Sequence, residues 1–517
     1  MKKKMKNIKK IISSLLLFII IFFLLLLIKS ADWFLDNFGG VTFATVVYQL
    51  FSPMKGTPSE ILNNYCDICL YPSVFCALLF LLFYNMYNVI LKKLILEFDI
   101  CFLQKELRIS LGNRFRIISK SLVLGLFLLA LCFLVWNRAV VIGVPGYIQS
   151  ISESSLLYEE EYVDPQDVSI EFPQQKRNLL LIYLESMETT FASTDVGGGK
   201  PINYIPGLTL LANENLYFSD DSDLGGIYCY SSTGWTIAGL LASSSGVNYK
   251  LPIFNEADDY ENFLPGLTAM GDILEDTGYQ NYFMCGSEAV FAGRADYYSQ
   301  HGNYHIIDYY NAIEDGVIPT WYREFWGIED QNLYAYIKQK LTEVAASGEP
   351  FNFTMLTSDT HHPNGYVCSL CENEYSEQYA NVLACADKQV CQFVAWVKEQ
   401  DWYENTTIVI MGDHNSMKSD FWDDIGSYQR KTYNCFINLP EGLTARQTTD
   451  REISAMDMFP TILAAIGANI EGERLGLGTN LFSDKQTLAE QMGSGEFDRQ
   501  LNLFSKYYYS NFIIADR

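Results

Sequence analysis

Thr406-Thr407-Ile408-Val409-Ile410-Met411-Gly412-Asp413-His414-Asn415 is the stretch on which the fold turns. Its apolar, β-branched run is short and almost continuous, as expected of a strand buried on both faces of a parallel sheet. Gly412 then lets the chain turn, and Asp413 and His414 follow directly, a hard oxygen donor beside an imidazole. Open α/β sheets bind ligands at the carboxyl ends of their strands, so this pair stands where a site is expected. On its own, a turn that happens to hold Asp and His explains the pair equally well.

Working outward, three more runs share the pattern. Asn178–Leu184 leads into Glu185-Ser186, and the run from Tyr279 to Met284 leads into Cys285-Gly286-Ser287-Glu288 and on to Arg294. Phe351–Leu356 leads into Thr357-Ser358-Asp359-Thr360-His361-His362-Pro363. Helical patterns lie between them, as in the segments from Leu333 to Ala345 and from Asp387 to Lys398. The alternation predicts an α/β fold, an α/β/α sandwich on a mostly parallel sheet. Only five histidines occur in the chain, and His361, His362 and His414 all fall at predicted strand ends, which favours a site there. His301 and His305 sit in an ordinary helix-to-strand passage and read as structural. A further segment, Ser231-Ser232-Thr233-Gly234-Trp235-Thr236-Ile237-Ala238-Gly239, offers hydroxyls at the start of a small-residue helix. Read alone it is a helix cap; beside a cation, a Ser or Thr hydroxyl there becomes a nucleophile.

The N-terminal part has a different character. Three runs free of charge, 11–28, 68–91 and 121–137, are each about long enough at ~1.5 Å per residue to cross a bilayer. The first exceeds a signal-peptide core and lacks a small-residue cleavage site, so a retained helix is expected. Six lysines in the first ten residues, and the basic loop from Lys92 to Lys120, predict a cytoplasmic N-terminus and an extracytoplasmic body. Trp136 and Tyr147 suit the headgroup level.

The chain of 517 residues carries a formal charge of −25, spread unevenly: residues 1–150 hold 16 Lys/Arg against 7 Asp/Glu, the rest 20 against 54. So acidic a body excludes nucleic acid as a partner. An anionic substrate would then need a locally positive pocket, made by a cation or a placed arginine. The expected organisation is a transmembrane region at 1–148, an acidic linker at 149–177 containing Glu159, Glu160 and Glu161, a catalytic domain at 178–485 and a C-terminal extension at 486–517.

Taken in order, Leu184-Glu185-Ser186, Thr233-Gly234-Trp235-Thr236-Ile237-Ala238-Gly239, Phe291-Ala292-Gly293-Arg294, Thr360-His361-His362-Pro363 and Gly412-Asp413-His414 resemble the lipoteichoic acid synthase and phosphoglycerol transferase I group of the alkaline phosphatase and sulfatase-like superfamily. The resemblance runs over roughly 178–485 and extends to Asp457–Leu463 and Asn480-Leu481-Phe482. It implies one divalent cation, manganese by the family pattern with magnesium also suited, held by Glu185, Thr236, Asp413 and His414, with Thr236 as nucleophile. It implies substrate binding by Arg294, whose fork suits a phosphate, and by His361 and His362, His361 also serving in acid/base work. The activity implied is transfer of phosphoglycerol from phosphatidylglycerol, an anionic phospholipid of the bacterial inner membrane, to a glucan, glycolipid or polyglycerolphosphate acceptor. The sequence departs from the teichoic acid synthases at Cys285, Ser287 and Ala292, where those enzymes carry polar and aromatic substrate contacts. Rival readings are a phosphoethanolamine transferase, a sulfatase-like hydrolase and a non-catalytic membrane-anchored scaffold. The hydrolase is disfavoured because none of the 12 cysteines begins a Cys-x-Pro-x-Arg motif.

Cys368-x-x-Cys371 read alone suits a zinc site or a redox pair, whereas an extracytoplasmic compartment favours disulfides. The resemblance implies a Cys371–Cys385 bridge, with Cys368 and Cys391 as a second pairing.

Overall fold

The computed structural model describes residues 2–38, 43, 46–47, 59–93, 96–102, 105–111, 113–250, 262–418 and 420–514. The chain divides into two compact units, residues 1–36 with 59–145, and residues 37–58 with 146–517.

The first unit is built on helices α1 (Lys2–Asn37), α2 (Tyr71–Lys93) and α3 (Asn113–Val141). Its stretches 8–37, 61–87 and 117–141 are long and apolar enough to cross a membrane; the first and third reach beyond both ends of their charge-free runs, and the second is shifted toward the N-terminus of its run. Leucine-, isoleucine- and phenylalanine-rich flanks stay exposed, while Ile21, Ala77 and Leu131 meet where the helices pack. Small Ala77 permits the approach, the usual device where lipid removes any hydrophobic drive between helices. Phe80 stacks on Phe127 at 4.1 Å, and Arg138 Nε reaches Asp32 at 2.5 Å, so neither charge stands alone near the helix ends.

In the second unit the sheet strands are β1 (Asn178–Leu184), β2 (Gln280–Cys285), β3 (His305–Ile307), β4 (Phe351–Leu356), β5 (Thr406–Gly412) and β6 (Asn434–Ile437). They lie in the order β6-β5-β1-β4-β2-β3. β1 pairs in parallel with β5, from Asn178 opposite Thr406 to Leu184 opposite Gly412, and in parallel with β4 on its other side. Only β6 runs antiparallel, Asn434 standing opposite Met411. The covering helices are α4 (Pro206–Glu214), α5 (Thr236–Ser245), α6 (Met270–Asp276), α7 (Arg294–Gln300), α8 (Asp330–Ala345), α9 (Gln378–Lys398) and α10 (Met458–Ala465).

Every residue of β1 is buried, and its alternation assigns the layers. Leu179, Leu181 and Tyr183 enter a core shared with α5, α6, α7 and α10. Leu180, Ile182 and Leu184 enter the opposite core, shared with α4, α8 and α9. The result is an α/β/α sandwich on a mostly parallel sheet.

The stretch 149–177, expected as an acidic linker, packs on the body: Leu157 and Tyr158 are buried, Ile170-Glu171 pairs antiparallel with Asn469-Ile470, and Arg474 binds Glu161 at 2.9 Å. Its acidic run hid two apolar anchors among the glutamates. In the C-terminal extension, Tyr507, Tyr508 and Phe512 pack their rings around Tyr158, whose Oη is 2.5 Å from Asn248 Oδ1.

Candidate active site

The parallel register sets the first three groups. Because Leu184 lies opposite Gly412, the next residues of β1 and β5, Glu185 and Asp413, leave the sheet side by side. Gly412 is required by this closeness: a Cβ there would lie 1.9 Å from the carbonyl oxygen of Met187. Ser186, at φ 53°, occupies the left-handed region, an unfavourable conformation for a residue with a side chain and one found at functional sites. The bend lets the Ser186 amide donate to Asp413 Oδ1 at 2.7 Å and its hydroxyl donate to Glu185 Oε1 at 2.6 Å. The fourth group comes from across a layer boundary. α5 starts at Thr236, and Gly239 lets that helix touch the end of β5, since a Cβ at 239 would lie 2.0 Å from the Asp413 carbonyl oxygen.

Thr236 Oγ1 therefore stands 3.4 Å from Glu185 Oε2 and 3.4 Å from His414 Nε2. His414 Nε2 is in turn 3.4 Å from Glu185 Oε1 and 3.5 Å from Asp413 Oδ2. Donor atoms of Glu185, Asp413 and His414 all lie within 4.8 Å of one another. All three residues are buried, and Thr236 is half-exposed at their edge.

This donor set fits a divalent cation. Asp413 Oδ2 is buried without a hydrogen-bond partner, although its other oxygen accepts from the amides of Ser186 and His414. His414 Nδ1 donates to the Asn415 carbonyl at 2.7 Å, which leaves the Nε2 lone pair directed at the cluster, the usual arrangement for a metal-binding imidazole. The charges point the same way. Burial, and after it the charge of Glu185, pushes the Asp413 carboxyl up to about 7. For His414, burial works downward, but the carboxylates of Asp413 and Glu185 outweigh it and lift the imidazole to about 9. Burial also works against an ionised Glu185, yet the charge and hydrogen bond of His414 hold it below the ordinary range. Two buried carboxylates so close call for a positive charge between them, from a proton on His414 or from a cation.

His361 follows β4. Its Nδ1 donates to the His362 carbonyl at 2.9 Å, so the neutral ring keeps Nε2 as an acceptor, and burial above all lowers its pKa despite Glu185. Trp326 at 4.8 Å and the stacked His362 at 4.5 Å between ring centroids fix its plane. His362 itself is buried and supports His361 from beneath. Arg294, 5% exposed, begins α7; its Nη2 donates to Ser287 Oγ at 3.0 Å and to the Glu288 carbonyl at 2.9 Å, and its Nε to the Phe291 carbonyl at 3.1 Å. These bonds leave Nη1 without a partner among the described residues. The structure thus brings Glu185, Thr236, Asp413 and His414 together, with the rings of His361 and His362 and the guanidinium of Arg294 stationed at neighbouring strand ends. His301 is buried against the Phe263 carbonyl at 2.7 Å and His305 stacks on Tyr282, away from this set.

Sequence reading missed the residues that hold the donors. Ser186, Thr357, whose Oγ1 accepts from the Glu185 amide at 2.9 Å, and Thr360, whose hydroxyl donates to the Glu185 carbonyl, all pin Glu185. Ser287 aims Arg294. Each lay beside a motif residue, but small hydroxyl side chains at strand ends carry no distinctive pattern.

Cys371 and Cys385, the pair the resemblance implies as a bridge, share one cluster with Cys368, whose sulfur lies 3.6 Å from Cys371 and 3.7 Å from Cys385. Three thiols share the space that a single pair was expected to fill, and Cys391 lies apart from them.

The sulfatase family profile matches residues 177–468, more than half of the chain. The chain is 31% identical over 328 residues to phosphoglycerol transferase I of Escherichia fergusonii, covering 62% of this chain and 40% of that one. It is 31% identical over 327 residues to the protein of the same name in Citrobacter koseri, again spanning 40% of its length. Among solved structures it is similar to the lipoteichoic acid synthase LtaP from Listeria monocytogenes, with TM-score 0.46, 18% identity, and coverage of 61% of this chain and 79% of that one. It is also similar to the integral membrane lipooligosaccharide phosphoethanolamine transferase A from Neisseria meningitidis, with TM-score 0.49, 12% identity, and coverage of 87% and 84%. With its matched region spanning the sheet and every strand end that carries the donor cluster, the chain belongs to the sulfatase family.

Proposed function

We propose that this protein transfers phosphoglycerol from phosphatidylglycerol to a hydroxyl acceptor outside the cytoplasmic membrane. The observation that carries the proposal is the position of Thr236 Oγ1, at the N-terminus of α5 and 3.4 Å from both Glu185 and His414. No other hydroxyl at the four strand ends combines partial exposure with that placement. Glu185, Thr236, Asp413 and His414 would hold one divalent cation, manganese or magnesium, which when bound supplies a positive charge that lowers the cost of ionising a hydroxyl and of gathering charge on phosphoryl oxygens.

The chain's own residues then divide the work. Thr236 Oγ attacks phosphorus of the lipid headgroup, an O–P bond forms, and the diacylglycerol oxygen leaves, taking a proton. Arg294 Nη1 offers the phosphate a charged donor held rigid by Ser287 and Glu288. His361 Nε2, an acceptor in the neutral ring, takes the proton of the incoming acceptor hydroxyl when that hydroxyl displaces Thr236 from phosphorus. The cation and Arg294 supply the positive pocket that a body of 54 acidic and 20 basic residues needs for an anionic headgroup. The apolar helices of the first unit would anchor the chain in the bilayer, with the N-terminus cytoplasmic by the distribution of lysine and arginine.

Incubating the purified full chain with manganese and headgroup-labelled phosphatidylglycerol should release diacylglycerol and add one glycerol phosphate to the Thr236 peptide. Release from phosphatidylethanolamine alone would reassign the headgroup. Turnover of neither lipid, with aryl sulfate cleaved instead, would convert the reading to a hydrolase.

A further inference from the structure

The loop between β4 and α9 holds a second cluster that the transfer reaction does not use. Cys368 and Cys371 lie on the loop and Cys385 on α9, and their sulfurs are all within 4.8 Å of one another. Cys368 and Cys385 are buried, and Cys371 is half-exposed. Gln389, one turn after Cys385, directs its side-chain Nε2 at Cys385 Sγ from 3.4 Å and at Cys368 Sγ from 3.8 Å. Cys391 does not join them: a Cβ on Gly207 would meet its sulfur at 2.6 Å, which places it against α4.

We propose that Cys368, Cys371 and Cys385 form a structural zinc site that clamps the β4–α9 loop to α9. Three converging sulfurs suit a thiophilic cation better than a disulfide, because one bridge uses two of them and strands the third. The spacing agrees: tetrahedral zinc with bonds of about 2.3 Å sets its sulfurs about 3.8 Å apart, against the observed 3.6 and 3.7 Å. The half-exposed side at Cys371 leaves the fourth coordination position to a solvent oxygen, and the Gln389 amide donates to sulfur in the manner that stabilises bound thiolates. Binding releases the thiol protons to solvent and involves no redox change. His361 lies on the same loop seven residues before Cys368, so the clamp would hold the stem of the loop that carries this ring.

The site is independent of the phosphoglycerol reading, and the test separates them. Zinc is measured by elemental mass spectrometry on the full chain in detergent, as wild type, Cys385→Ser and Asp413→Asn. We expect about one zinc per chain that persists in Asp413→Asn and falls at least tenfold in Cys385→Ser. Should Cys385→Ser fail to accumulate, cobalt(II) loaded into the wild type must show a thiolate-to-cobalt charge-transfer band. Peptide mapping without reductant that finds Cys368 disulfide-bonded, or three free thiols with neither zinc nor that band, would overturn the assignment.

Discussion

At the scale of single residues, the proposed chemistry rests on a threonine oxygen and the hydroxyls behind it. Thr236→Ala removes the proposed nucleophile but none of the three buried donors, so diacylglycerol release should fall by ~10³-fold or more while bound cation is retained. Thr236→Ser, which keeps an oxygen at the same place, should retain measurable turnover in the same labelled-lipid assay. Ser287 acts through Arg294. Deleting its hydroxyl frees one hydrogen bond to a buried guanidinium, worth about 1.5 to 3 kcal/mol in orientation, so Ser287→Ala should raise KM for the lipid about tenfold or more with a smaller change in kcat. An equal fall in kcat with KM unmoved would place Ser287 outside substrate binding. Glu185, Asp413 and His414 were legible in the sequence because each follows a buried run. Ser186 and Thr360 were not, because a hydroxyl becomes a positioning group only once the fold sets a carboxylate or carbonyl beside it.

At the scale of elements, the site exists because α5 touches the end of β5. Gly239→Ala puts a methyl where the Asp413 carbonyl stands, and the helix must shift. A loss of about 1 to 3 kcal/mol is expected in denaturant unfolding, together with weaker cation binding. Gly495→Ala, in a helix with open space around that position, serves as the control with no such loss. A second contact between elements is titratable. Asp387 of α9 accepts the Gly207 and Leu208 amides at the start of α4, at 2.9 and 2.6 Å. Burial nevertheless dominates and raises its carboxyl from 3.8 to about 6. The folded state therefore holds a proton that the unfolded chain has released between those pH values, so this group's contribution is largest in acid and declines as pH rises from about 4 to 6. Melting curves of wild type and Asp387→Asn across pH 4 to 7 should converge toward pH 4, with the variant several degrees more stable at pH 7. Parallel pH profiles would show that the carboxyl is not shifted. The α9 pattern was visible in the sequence only from Asp387 onward, because its first turns, with Tyr379 and Asn381 buried beside the cysteine loop, do not follow a simple amphipathic stripe.

At the scale of the whole molecule, the proposed cation is also a stability element. Removing it leaves two buried carboxylates facing one another across His414, so chelation should lower the melting temperature of the α/β body, and manganese should restore it in a concentration-dependent way. Cation at a hundred times its dissociation constant contributes about 2.7 kcal/mol. A melting temperature indifferent to chelator would remove the cation from the folded state. What the sequence by itself determined was the parallel α/β class, the three apolar spans, the acidic body and the four strand ends carrying polar clusters, because apolar periodicity and chain punctuation are local properties written in consecutive residues. Tertiary structure alone decided that β1 and β5 are neighbours in a register that sets Glu185 beside Asp413 and that α5 closes on them through Gly239. It also decided that Tyr158 and the C-terminal aromatic residues fold the supposed linker into the body, and that three cysteines rather than two converge. Register, helix approach and sulfur geometry are distances between residues far apart in the chain, and only packing of the two cores onto one sheet sets them.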